Sequence, residues 1–418
     1  MRSLHRIFLI LSALAVLLAA CAAPVERGGT DAVMDALVVA VPSGSSEQAA
    51  LAAAEAYTLS SGAPVRVAVI PANQYERKVP AALMAGLDDY DLVYLPAESL
   101  PRWASYRALR PWQIAPEDIP AQMEKWLPLL TVEGAVYGLP AEADPLLLWF
   151  REDLRAGLAS PAESWPDFRA YAQAASAPPG RYGFVPAVSQ REAALDLAVF
   201  MTGFGAPDAL ALNSPEAREG FAFYASMRGE DGAALPVPAV SGADAERLAG
   251  EEGRNKVIEA LLDGSAAMGF APRTAGSQLF DCTVKGNAAC DGDRPLLSAA
   301  NPPGKCVLLD GLWAWAAPLH STRPQAAERF AAWLVSEEGT RAWNAGGGYP
   351  VVMESGACFQ TAFPPAADPD ALYALVGDLA APDAAALTSA ELSARFEAAE
   401  SAAQAEIRRQ GISMPAAD

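Results

Sequence analysis

The chain is nearly devoid of histidine: His5 and His320 are the two in 418 residues. A Ser-His-Asp triad would rest on His320, which follows Pro318-Leu319 on a surface turn. No G-x-S-x-G elbow, H-E-x-x-H pair or Walker sequence occurs. Pro303-Gly304-Lys305 lacks the upstream glycine of a phosphate loop, and Asp291-Gly292-Asp293 is too short for a calcium loop. Two cysteines in C-x-x-C spacing are absent, and no histidine stands near a cysteine of the mature chain, which disfavours zinc. Past the N-terminus no apolar run is long enough to span a membrane. The longest, Pro145-Leu146-Leu147-Leu148-Trp149-Phe150, is strand-sized and ends at Arg151. Positive charge is scarce as well: 30 Lys and Arg face 50 Asp and Glu, a net charge of -20. Such a surface repels nucleic acid. Catalysis therefore finds little support in the residues, no metal or cofactor is expected, and a nucleic-acid partner is disfavoured.

What is present begins at the N-terminus. A basic start (Arg2, Arg6), the apolar run Ile7–Leu18 and small residues at a cut site make a secretory signal. The run falls short of the roughly 20 residues a bilayer span needs. Leu18-Ala19-Ala20-Cys21 resembles the lipobox of bacterial lipoproteins. That resemblance implies cleavage before Cys21 and a lipid thioether on its sulfur, the nucleophile that accepts the lipid. Residues 1–20 thus read as a signal peptide and 21–36 as a lipidated tether, polar and aperiodic. The protein is expected outside the cytoplasm, lipid-anchored to the cell membrane, in a periplasm or on an outer face.

With Cys21 committed to lipid, Cys282, Cys290, Cys306 and Cys358 remain. Four cysteines in an exported chain predict two disulfides, with three possible pairings. Cys282–Cys290 with Cys306–Cys358 is the favoured set, because the first pair brackets a short Lys-Gly-Asn turn and closes locally.

Order starts at Leu37-Val38-Val39-Ala40-Val41, a buried-strand pattern closed by Pro42-Ser43-Gly44. A helix over Glu47–Leu59 follows, with Ser45 or Ser46 as its N-cap. Strands are predicted at Val65–Ile70 and Asp91–Leu95, separated by a helix over Asn73–Ala85. Alternation of strand and helix predicts an α/β fold with a parallel-type sheet. After residue 143 helices dominate, at 165–175, 191–203, 215–228 and 255–263. Strands return at 265–270 and 312–316, followed by helices at 324–334, 337–344 and 390–409. Pro- and Gly-rich loops lie inside the chain with no single dividing linker, which predicts two domains joined by several crossings.

Several stretches together resemble the extracellular solute-binding proteins of sugar-type ABC importers. They are Tyr90–Leu95, Val136–Pro140 with Asp144 and Leu148–Leu154, Ser164–Phe168, and a long match from Gly311 through Pro318 to Val351. The resemblance implies a two-lobe periplasmic-binding-protein-like fold with a ligand cleft between the lobes. We assign residues 37–142 with about 265–320 to the first lobe. Residues 143–264 with about 321–418 form the second, mostly helical lobe. The family implies capture of a solute, a sugar or oligosaccharide foremost, by hinge closure and delivery to a membrane permease. A monomer is expected. Two alternatives stay open: a lipid-anchored glycosidase using paired carboxylates, and a binder of a cationic solute such as a polyamine.

Sugars have an apolar face and a polar rim, so their sites pair flat aromatics with polar side chains. Ligands of α/β lobes lie beyond the C-terminal ends of strands. That rule selects Ser45 and Glu47 after the first strand, Asn73 after the second, Glu98 after the third and Arg273 after the strand at 265–270. Glu142 and Asp144, two residues apart on an extended crossing, share a face. The resemblance places these two, with Trp313 and Tyr349, near the ligand. Trp103, Trp112, Trp165, Trp333 and Trp343 are expected to pack in cores.

Overall fold

In the computed structural model, residues 36–113, 126–187, 189–227, 253–283, 286–304, 307–348, 359–361, 363, 366, 368–379 and 389–411 are described. The signal peptide, Cys21, Cys306, Tyr349 and Cys358 lie outside them, and with them the tether, the lipidation and the second disulfide. The unit from Leu37 onward folds as one compact body.

Strand β1 (Leu37–Pro42) enters helix α1 (Ser45–Ser61), strand β2 (Val65–Ile70), helix α2 (Ala72–Ala85), strand β3 (Leu92–Pro96) and the short helix α3 (Leu100–Ser105). The unbroken apolar run of β1 is buried because β2 and β3 flank it, both in parallel register. Gly44, not Ser45 or Ser46, is the N-cap of α1, and no side chain caps it. The helix stops where Gly62 takes φ 74°, a left-handed conformation that costs glycine little.

Strand β4 (Leu139–Arg151) is long enough to serve two cores. Leu139, Ala141 and Ala143 belong to the first apolar cluster, and Leu146, Leu148 and Phe150 to the second. Trp149, on the other face, belongs to a third, smaller cluster. Helices α4 (Trp165–Ala175), α5 (Gln190–Gly203), α6 (Pro215–Ser226) and α7 (Gly253–Asp263) follow. Ser164 caps α4 by accepting the Asp167 N–H at 3.2 Å. Asp196 on α5 accepts the Ala187 N–H at 2.7 Å and pairs with Arg254 of α7 at 2.6 Å, so two helices and a loop share one buried charge pair. Strands β5 (Met268–Pro272) and β6 (Leu297–Ala300) pair with the second half of β4, both antiparallel. Strand β7 (Val307–Pro318) then runs back beside β4 and β3. Helices α8 (Pro324–Leu334), α9 (Glu337–Ala345), α10 (Pro369–Gly377) and α11 (Ser389–Gln410) complete the described chain.

The sheet is mixed rather than parallel throughout. Its order is β6-β4-β7-β3-β1-β2, with β5 and two short strands branching from it. The parallel part of this path is confined to β1, β2 and β3. Where β4 and β7 meet, the pairing is antiparallel. Two lobe boundaries also move. Met268 and Phe270, assigned from sequence to the first lobe, pack in the second cluster because β5 pairs with β4 beyond Pro145. Phe330, Leu334 and Trp343, assigned to the second lobe, pack in the first. The chain recrosses along β7, before α8, so the amphipathic face of α8 meets Tyr57 of α1, with Phe330 at 4.8 Å between ring centroids. Buried Asp91 ties this return to β1, accepting from the Val38 N–H at 2.9 Å and the Ser321 hydroxyl at 2.8 Å.

Candidate functional site: a cleft over stacked aromatics

A cleft of about 320 Å³ opens where elements of the first and second clusters face each other. That volume suits a small ligand, at the lower end of the usual range. From the first cluster come Tyr75 of α2, Glu98 and Ser99 beyond β3, and Arg102 and Trp103 of α3. From the second come Arg191 of α5 and Asp370 and Tyr373 of α10. The crossing strands supply Asp144, Gly311 and Trp313.

Trp313 is half-buried, and its indole lies flat on Tyr94, with 4.7 Å between centroids and 8° between planes. Beneath this stack Glu142 is buried, 8% exposed. One of its oxygens accepts the Tyr94 hydroxyl and the other accepts Trp343 Nε1–H at 3.0 Å. Burial, then the Glu142 charge, pushes the Tyr94 phenol well above its ordinary pKa, so it remains a proton donor. Tyr75 fixes the other side of Tyr94: its hydroxyl, which carries one proton, lies 2.7 Å from Tyr94 O and 3.0 Å from Ala40 O as acceptors, and it accepts the Tyr94 N–H at 3.0 Å.

The two neighbouring carboxylates have different partners. Glu142 stands opposite Trp313 and Asp144 opposite Gly311. The missing side chain at Gly311 makes room for the Trp313 indole itself. A Cβ at residue 311 would come within 3.0 Å of Trp313 Nε1. Asp144 accepts the Thr274 hydroxyl at 2.5 Å and the Thr274 N–H at 3.3 Å, which ties the crossing to the turn after β5.

Ion pairs made by two arginines join the lobes at the cleft. Arg191 reaches Glu98 at 3.5 Å, its guanidinium stacked over the Tyr373 ring at 4.8 Å. Arg102 reaches Asp370 at 3.2 Å and Asp368 at 3.5 Å. The first lobe thus offers one anion and one cation, and the second answers each.

Of the residues selected from sequence, Glu98, Asp144 and Trp313 line the cleft. Glu142 lies under its floor. Ser45 opens α1, and its side chain lies outside the described part. Glu47, Asn73 and Arg273 are not among the described lining residues. Because α1 begins at Ser45, Glu47 falls in its first turn, where the helix dipole favours a carboxylate. Because α2 begins at Ala72, Asn73 faces solvent and Tyr75 turns inward. In the turn after β5, Thr274 meets Asp144. Sequence reasoning selected the loop Asn73-Gln74-Tyr75 but chose Asn73 from it rather than Tyr75, missed Arg102, Arg191, Asp370 and Tyr373, and placed Trp103 in the core without seeing that it also borders the cleft. The strand-end rule points to the loops preceding Tyr75 and Arg102, whereas nothing local marks Arg191, Asp370 or Tyr373.

The predicted Cys282–Cys290 disulfide is present, with Cα atoms 5.6 Å apart. Among the described residues, no group of three or more His, Cys, Asp or Glu could hold a metal, and no helix is long and apolar enough to cross a membrane.

A two-lobe α/β molecule with a polar-rimmed, aromatic-floored cleft between its lobes is the architecture of a small-molecule binding protein. Residues 26–363 match the bacterial extracellular solute-binding proteins, and the chain belongs to that family. It is similar in structure to an ABC-transporter solute-binding protein from Thermotoga lettingae, solved with α-D-tagatose. The TM-score is 0.67 at 16% identity, over 89% of this chain and 100% of that one. It is also similar to maltose-bound MalE3 of T. maritima, with a TM-score of 0.66 at 16% identity, over 88% and 98% of the two chains. A solute-binding protein of Agrobacterium radiobacter K84 in complex with ribitol gives 0.62 at 18% identity, over 88% and 98%. No curated protein matches the chain by sequence.

Proposed function

We propose that the protein is the substrate-binding component of an ABC importer, capturing a sugar or related polyhydroxy compound and delivering it to a membrane permease. The observation that carries this reading is the cleft itself: Trp313 offers a flat apolar platform, and Glu98, Ser99, Arg102, Asp144 and Arg191 surround it with hydrogen-bonding groups. An indole stacks on the C–H face of a pyranose while polar groups take its hydroxyls. The sugar and polyol ligands of structurally similar proteins support the same class. Closure by hinge bending between lobes is the motion the handed-off solute requires, and the Glu98–Arg191 and Arg102–Asp370 pairs are contacts that closure makes.

The protein acts as a monomeric binder and not as an enzyme. A glycosidase needs two open carboxylates flanking the scissile bond, whereas Glu142 is engaged by Tyr94 and Trp343, Asp144 by Thr274, Glu98 by Arg191 and Asp370 by Arg102. We place the protein outside the cytoplasm, anchored through lipid on Cys21. Cys21→Ser should then release it from the membrane fraction, and unchanged membrane fractionation of that variant would refute the anchor.

A thermal-shift screen against tagatose, maltose, ribitol, mannitol and polyamines tests the ligand class. A sugar or polyol at 100 times its Kd should add roughly 2.7 kcal/mol of stability. Stabilisation by polyamines alone would replace this reading with cation capture.

A further inference from the structure

We propose that Glu142 is a positioning residue for the cleft: it pins the far end of the Tyr94 ring in place, and through that ring it sets the position of the Trp313 platform. The inference rests on the reading of Trp313 as the ligand-facing surface and assigns Glu142 a role through its neighbours rather than in ligand contact.

Three geometric facts carry it. First, Glu142 bridges two aromatic side chains from distant elements, Tyr94 of β3 and Trp343 of α9. Second, Tyr94 is the slab on which Trp313 lies, 4.7 Å away and within 8° of parallel. Third, Tyr94 is held at both ends. Its backbone N–H and C=O are bonded to the Tyr75 hydroxyl, and its own hydroxyl is bonded to Glu142. A ring fixed at its backbone can still swing about χ1, and the bond at the para oxygen removes that freedom; rotation about χ2, whose axis passes through that oxygen, is held by the flat contact with Trp313. Trp343 also lies edge-on to Trp315 at 5.3 Å, so the same carboxylate locks the second layer of the floor. An acceptor-only group suits this place, because both neighbours approach it as donors. A preorganised platform binds without first paying the entropy of ordering its ring.

The test uses unliganded protein labelled with 5-fluorotryptophan, so its outcome is independent of which solute binds. Trp313→Phe and Trp343→Phe identify the two fluorine resonances. Glu142→Gln should move or broaden the Trp313 resonance by more than its linewidth, as well as that of Trp343, which it bonds directly. Tyr94→Phe, which keeps the ring and deletes the hydroxyl, should displace the Trp313 resonance too. A purely structural Glu142 would move the Trp343 resonance alone. An unmoved Trp313 resonance in both variants overturns the proposal, and Tyr94→Phe decides it if Glu142→Gln fails to fold. A failed sugar screen with a displaced Trp313 resonance would remove the solute reading and leave the positioning role intact.

Discussion

Glu142 and Asp144 occupy one strand two residues apart, and the floor and wall of the cleft divide between them. Sequence periodicity treats them alike, since alternate residues of a strand share a face. Their partners make the difference: Tyr94 and Trp343 engage Glu142 beneath the aromatic stack, and Asp144 meets Thr274 at the cleft. One carboxylate became a fixture of the aromatic floor, and the other stayed at the cleft. The role of an acidic residue here is set by the side chains that distant elements bring to it, not by its own position in the sequence.

The sharpest way to break this comparison is to truncate each carboxylate in turn. Glu142→Ala strands two buried donors, the Tyr94 hydroxyl and Trp343 Nε1. An unsatisfied buried polar group costs about 1–3 kcal/mol, so the variant should lose roughly 3 kcal/mol in urea unfolding. Asp144→Ala removes bonds to half-buried Thr274 and should lose about 1 kcal/mol. Equal losses would mean that the floor and wall are energetically one region.

Trp313→Ala probes the surface between the two. The indole is half-buried and faces the cleft on one side and Tyr94 on the other. Loss of an aromatic contact at the centre of a site typically costs about 2 kcal/mol or more. Titration calorimetry with the best sugar from the screen should show affinity weakened at least about tenfold, with the circular dichroism spectrum intact. Unchanged affinity with a sharply lower Tm would place Trp313 in the core beside Trp343.

How far the sequence reaches can be read from particular residues. Helix α4 was legible to the residue, because Ser164 caps it and its apolar spacing is regular. β1 was legible because five consecutive buried residues admit little else. The full length of β4 was not: Pro140 and Pro145 interrupt its pattern, and it is a strand through its pairing with β7, more than 150 residues further on. The same distance hid half of the cleft. Asp370 and Tyr373 reach the site from a helix more than 200 residues beyond Asp144, and their approach is a tertiary fact with no local signal. The burial of Glu142 was hidden likewise, since Trp343 is 201 residues away. Strand-end reasoning found Glu98, where backbone direction alone decides the position.

The smallest expected effect concerns the wall alone. Glu98 and Arg191 are 17% and 44% exposed at the side chain, and Arg102 and Asp370 are 25% and 79% exposed. Partly exposed pairs contribute about 0.2–1 kcal/mol each. If they are made on closure, raising the salt should weaken binding of a neutral sugar about two- to fivefold, because screening loosens the closed state and not the sugar contacts. Salt sensitivity by itself then no longer separates a neutral from a cationic solute, and the variants do. In Arg102→Ala/Arg191→Ala a neutral sugar should bind somewhat more weakly and respond little to salt. A cationic solute held by Glu98 and Asp144 would keep its salt dependence in that background. Salt dependence for a neutral sugar that survives in the double variant would show that the two ion pairs are not closing contacts, and that the wall, like the floor, is set within the crossing strands.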